Sequence, residues 1–128
     1  MKILFDSHAL VWYLAGDKRL SRKAREIADD LESQVFLSAV CAWEIATKVN
    51  RGRWAEATDL VNKLEEITLA RAFTALPITT EHARVAGFLP GSRYDPFDRM
   101  LAAQSFVESV PLVTADRAFH EFGTSVIW

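Results

Sequence analysis

Four short apolar runs, at residues 2–5, 35–37, 73–76 and 111–113, are separated by longer stretches whose apolar residues recur every three or four positions. This alternation constrains the fold more than any other feature. A strand followed by a helix and then another strand returns as a parallel neighbour through a right-handed crossover. The pattern predicts an α/β domain spanning residues 1–128, with a central parallel sheet of four or five strands and helices on both faces. Residues 125–127 supply the candidate fifth strand. Helices are expected at 9–15, closed by Gly16, and from a Ser21 cap to about residue 31. Others are expected from a Ser38 cap to about residue 49, over 55–69, over 80–88, and from Asp95-Pro96 to about residue 107.

A chain of 128 residues is one domain of ordinary size and can bury a core without disulfides or structural metal. Its one cysteine, Cys41, lies among apolar neighbours and reads as a small core residue. No Cys/His cluster suggests zinc. The net charge of -2 lacks the basic excess common in nucleic-acid binders. The basic residues are nonetheless clustered, as Lys18, Arg19, Arg22, Lys23 and Arg25 and as Lys48, Arg51 and Arg53, which read as solvated helix faces. Asp6 and His8 interrupt the apolar start, and no run reaches the roughly 18 residues of a membrane span. A cytoplasmic protein with no membrane partner is expected.

In parallel sheets, ligands bind beyond the carboxyl ends of the strands. Asp6 directly follows the first strand, and Asp116 lies just beyond the fourth. Glu44 lies on the helix after the second strand, and Asp98 in the first turn of the helix leading into the fourth. Each acid has a structural explanation of its own. Asp6 can cap a helix, Asp98 and Asp116 can favour helix N-termini, and Glu44 can pair with Lys48 at i+4. The combination says more, because Glu44 sits in a wholly apolar stretch, Ala39-Val40-Cys41-Ala42-Trp43 and Ile45-Ala46. Four carboxylates about 6 Å apart repel by roughly 3 kcal/mol per pair at an effective dielectric near 20. Protons or cations must neutralise them, and oxygen-only ligands suit Mg²⁺ or Mn²⁺. Two such ions match four carboxylates and stabilise the oxygens of a phosphodiester cleavage.

Four segments resemble the PIN-domain nucleases, and specifically the VapC-type toxins of prokaryotic toxin–antitoxin pairs. They are Leu4-Phe5-Asp6-Ser7-His8-Ala9-Leu10-Val11-Trp12; Ser38 to Lys48 around Trp43-Glu44-Ile45; Asp95-Pro96-Phe97-Asp98-Arg99 with Ala102-Ala103-Gln104; and Leu112-Val113-Thr114-Ala115-Asp116. Their order spans nearly the whole chain. The resemblance implies that Asp6, Glu44, Asp98 and Asp116 are the catalytic, metal-binding acids, with Thr114 supporting them. It implies an Mg²⁺-dependent endoribonuclease that hydrolyses RNA with a metal-activated water, is usually dimeric, and is restrained by a cognate antitoxin. Ser7 stands where relatives often have threonine, and Ser105 where they often have alanine.

His8 is expected to orient the first helix or a substrate phosphate rather than act as a base. Arg93 and Arg99 are candidates for RNA-phosphate contacts, with pairing to nearby carboxylates as the alternative. Trp12 and Trp43 are expected in the core, and Trp54 in a groove that accepts an antitoxin helix. Competing readings are a nuclease acting on DNA or structured nucleic acid and a non-catalytic binding module of the same fold. A phosphatase-like hydrolase needs a second Asp two residues after its nucleophile, which Asp6-Ser7-His8 lacks.

Overall fold

In the computed structural model, which describes residues 1–92 and 94–128, five strands pair in parallel in the order β3-β2-β1-β4-β5. They are β1 (Lys2–Phe5), β2 (Gln34–Ser38), β3 (Thr74–Leu76), β4 (Leu112–Val113) and β5 (Val126–Ile127). β1 is central: Leu4 sits opposite Phe36 on one side and Leu112 on the other. Ile3, Leu4, Phe5, Leu112 and Val113 are all buried. A strand whose consecutive residues are all buried has both sheet faces covered, as parallel sheets require. The strand order runs outward from β1 to β3 and then returns to the far side of β1. That return makes a topological switch point between β1 and β4, where such folds place their ligands.

The helices begin where a side chain can satisfy their free N–H groups. Asp6 caps α1 (Ser7–Ala15), Ser21 caps α2 (Arg22–Asp29) and Ser38 caps α3 (Ala39–Asn50). Thr79 and His82 form a reciprocal capping box on α6 (Thr80–Phe88), and Asp95 followed by Pro96 starts α7 (Pro96–Glu108). Gly16, with φ of 65°, ends α1 in the left-handed conformation.

The structure departs from the sequence expectation in three places. The single helix expected over 55–69 is instead a 3₁₀ turn (Ala55–Ala57), α4 (Thr58–Asn62) and α5 (Leu64–Ala70). Lys63, at φ -117° and ψ 11°, breaks the run, next to Asn62, a weak helix former. α2 stops at Asp29, leaving Leu31 in an exposed turn. An unexpected 3₁₀ helix spans Arg117–Phe122 and anchors Phe119 and Phe122 in the core. Among the described residues, no helix is long and apolar enough to cross a membrane.

A buried polar network joins the second layer to the sheet. The Ser38 hydroxyl, at the end of β2, donates to Gln104 Oε1 on α7 at 2.5 Å. Gln104 Nε2 donates to the Pro77 carbonyl after β3 at 3.3 Å. His82 accepts the Thr79 N–H at Nδ1, which leaves Nε2 to donate to Glu108 at 2.8 Å. Ser105 turns its hydroxyl onto the Val110 carbonyl at 2.6 Å, so the serine there ties the end of α7 to the approach of β4.

Ser38 both caps α3 and satisfies Gln104. Ser38→Ala is therefore expected to destabilise the chain by about 2–3 kcal/mol, the sum of a lost cap and an orphaned buried oxygen. Ser21→Ala, which removes only a cap, is expected to cost about 1 kcal/mol. Urea unfolding of both variants checks this; equal midpoints would show that the Ser38–Gln104 bond adds nothing.

Candidate active site

Asp6 emerges from β1 at the switch point and is buried. Its Oδ1 accepts the Ala9 N–H at 2.8 Å, and its Oδ2 accepts the Thr114 hydroxyl at 2.5 Å. Thr114 follows β4, and its Oγ1 also accepts the Asp116 N–H at 3.0 Å. One hydroxyl thus fastens the end of β1 to the turn that carries Asp116. Asp116 caps the 3₁₀ helix through Ala118 N–H at 2.9 Å.

Glu44 projects from α3 and is only 5% exposed. Its Oε1 accepts the Ser7 hydroxyl at 2.6 Å, and its Oε2 pairs with Lys48 Nζ at 2.7 Å. The local i+4 pair and the position facing the site are therefore the same arrangement. Asp95 accepts the N–H groups of Phe97 and Asp98, which sets Asp98 in the first turn of α7. Asp6, Glu44, Asp95, Asp98 and Asp116 all line one open cavity, with Lys48 and His8 on its wall. All four acids singled out in the sequence thus meet at one place.

The electrostatics follow from that crowding. Burial pushes Asp6 up from 3.8 to about 6, and the charges of Glu44 and Asp98 push the same way, against the lowering effect of the Thr114 and Ala9 bonds. The donor set is oxygen only, which is the chemistry of a hard divalent cation. Among the described residues no group of three such side chains is gathered tightly enough to hold an ion as it stands. Lys48 supplies the counter-charge to Glu44 instead. The donor chemistry and the excess negative charge fit a divalent cation.

The family description "PIN domain" matches residues 3–124. The chain belongs to the PIN domain family. Solved structures agree with the fold. VapBC from Salmonella typhimurium bound to DNA is 18% identical with a TM-score of 0.73, covering 99% of this chain and 97% of that one. VapBC2 from Rickettsia felis, bound to a DNA fragment from its promoter, is 15% identical with a TM-score of 0.72, covering 99% and 98%. A toxin–antitoxin complex from Klebsiella pneumoniae is 15% identical with a TM-score of 0.63, covering 98% and 96%. No curated protein matches the chain in sequence.

The other side chains singled out in this PIN domain divide sharply. Cys41 is fully buried, donates weakly to the Phe5 carbonyl at 3.4 Å, and has its thiol pushed far up by burial. Arg99 directs its guanidinium to the carbonyls of Ala86 and Leu89, at 3.1 and 2.6 Å, and lies over the Phe122 ring. It thereby clamps the end of α6 to α7. Arg93 lies outside the described residues.

Two tryptophans differ in burial from the expectation. Trp43 is half exposed and meets Phe97 edge-on at 4.5 Å, because its position on α3 faces away from the sheet. Trp54 is buried and stacks on His8 at 4.6 Å, because the chain after Gly52 folds back over α1. Trp12 packs partly buried against the core. Desolvation of the His8 ring and then the nearby Lys48 lower its pKa, which favours the neutral imidazole.

Sequence reasoning passed over Ser7 and Lys48 as parts of the site. A hydroxyl directly after a strand-end acid, and a cation one turn after a buried acid, were the available signals.

Asp6 generates a pH dependence with a definite sign. Its folded pKa lies above the unfolded value, so its contribution favours folding below pH 3.8 and is lost as the pH rises through about 6. In metal-free buffer this amounts to about 3 kcal/mol of stability lost across that window. Asp6→Asn keeps the cap but loses the acceptor for the Thr114 hydroxyl, so it is expected to flatten the pH dependence without raising stability at low pH. Thermal unfolding of both forms between pH 4 and 7 checks it; parallel curves would refute it.

Proposed function

We propose that residues 1–128 form a single nuclease domain acting as a divalent-cation-dependent endoribonuclease, the toxin of a toxin–antitoxin pair. The observation that carries this reading is the convergence of Asp6, Glu44, Asp98 and Asp116 on one cavity at the switch point of a parallel sheet. PIN-domain membership supports it, as does a fold shared with a toxin–antitoxin complex.

Asp6, Glu44, Asp98 and Asp116 would hold Mg²⁺ or Mn²⁺. When bound, such a cation supplies positive charge that draws in the substrate phosphate and makes water a stronger acid. The protein's own residues position the acids. Thr114 fixes the Asp6 carboxylate and the backbone of Asp116 together. Ser7 holds Glu44 from α1, and Lys48 limits its charge from the next turn of α3. Asp95 is a positioning residue: it spends Oδ1 on backbone N–H groups and so sets where α7 begins. The working site is cytoplasmic in this reading, and the protein is a homodimer restrained by a cognate antitoxin.

Cleavage of single-stranded RNA is expected to require Mg²⁺ or Mn²⁺ and to stop with EDTA. DNA assayed beside it is expected to survive, and undiminished cleavage after chelation would end the proposal. Asp98→Asn is expected to lower the rate by about a hundredfold or more, since a charged ligand is lost. Asp95→Asn, which still caps, is expected to stay active. The reverse pattern would show that the wrong carboxylate has been assigned. Light scattering is expected to give twice the 14.4 kDa chain mass; a monomer at micromolar concentration would count against the dimer.

A further inference from the structure

Beside the acidic cavity lies a second one of opposite character. His8, Trp12 and Lys48 belong to the walls of both. The second adds Trp54, Arg19 and Arg53, and Glu56 is its one acid. The two basic clusters that read as separate solvated faces in the sequence thus send Arg19, Lys48 and Arg53 to one place. The crossover from β1 to α3 brings them there.

The rings are arranged as a tier. His8 stacks on Trp54 with centroids 4.6 Å apart and planes 27° apart, and Trp12 stands tilted beside it at 5.9 Å. Cations sit over the same rings, Arg19 at 5.2 Å from Trp12 and Lys48 at 5.6 Å from Trp54. Asp17 braces Arg19 at 2.7 Å, which fixes its guanidinium. Arg53 is exposed and has no ion pair among the described residues.

Flat rings beside an unpaired guanidinium, that of Arg53, are the chemistry that holds an unpaired nucleotide. The base stacks on a ring face, and the phosphate meets the guanidinium. An acidic peptide would use the cations and leave the rings idle. A duplex keeps its base faces inside the stack and cannot offer them.

We propose that this shelf binds the nucleotide adjacent to the cleaved phosphodiester of a single-stranded substrate. Its base lies on the exposed His8 ring, which Trp54 backs from beneath and Trp12 flanks, and its phosphate lies against Arg53. The proposal rests on the nuclease reading above and adds where the strand runs. The acidic cavity repels a polyanion, and the shelf next to it supplies the attraction that brings the strand to its edge.

The test uses a labelled single-stranded hexaribonucleotide bound to the full chain in EDTA, compared with an abasic strand of the same length and with the matching duplex. The abasic strand and the duplex are each expected to bind at least about fivefold more weakly, as the loss of one stacked base implies. Arg53→Ala is expected to weaken binding and to reduce the slope of log affinity against log salt by about 0.7, one phosphate contact to a single strand. His8→Ala is expected to weaken binding about fivefold or more, and His8→Phe to restore it, because a ring face and not an imidazole proton is required.

Equal binding of abasic and base-bearing strands, or of duplex and single strand, overturns the proposal. So do Arg53→Ala and His8→Ala variants that bind the hexanucleotide like the parent, which would mark the shelf as a face for a protein partner. The two readings fail separately. RNA cleavage with base-independent binding removes the shelf alone. Base-dependent binding without cleavage in Mg²⁺ supports the shelf and removes the nuclease.

Discussion

A parallel sheet sends all its strand ends to the same edge, and the return from β3 to the far side of β1 opens that edge at one point. Everything that gives this chain a site follows from the constraint. Neither Asp6 nor Asp116 needs a special loop to reach the other, because β1 and β4 are hydrogen-bonded neighbours whose ends already lie side by side. The short bond from Thr114 to Asp6 then fixes two loops with one hydroxyl. α3 and α7 each add one acid from their first or second turn.

Gathering carboxylates in this way runs against their mutual repulsion and their preference for water. The chain meets the problem in pieces. Lys48 and Ser7 divide the two oxygens of Glu44 between them. The caps of α1 and of the Arg117–Phe122 helix give Asp6 and Asp116 backbone N–H partners. What is left over shows in the raised pKa of Asp6.

Much of this is legible in the sequence alone. Strand and helix alternation gives the parallel sheet, and an acid placed directly after an apolar run, as Asp6 is, can only lie at its carboxyl edge. Asp95 announces its capping role because it precedes a proline. Glu44 stands out by the apolar residues around it. Trp43 and Trp54 were not legible, because residue size speaks for burial but not for which side of a helix faces the sheet. The break at Lys63 depends on a backbone angle that no strong breaker marks. The meeting of Arg19, Lys48 and Arg53 was hidden for another reason. Their proximity is created by the crossover, and local spacing carries no trace of it.

The bond between Thr114 and Asp6 joins residues 108 positions apart. A ribosome makes Asp6 well before Thr114. Until β4 has emerged and taken its place beside β1, one edge of the central strand has no neighbour, and Asp6 lacks both the hydroxyl that orients it and Asp116 on the wall of its cavity. Helices α1 and α3 can form in that interval, but the cavity cannot. For an enzyme that cuts RNA, the order of synthesis would then be a safeguard. With the activity proposed above, the growing chain would stay harmless to the message and the ribosome beside it until the fold closes.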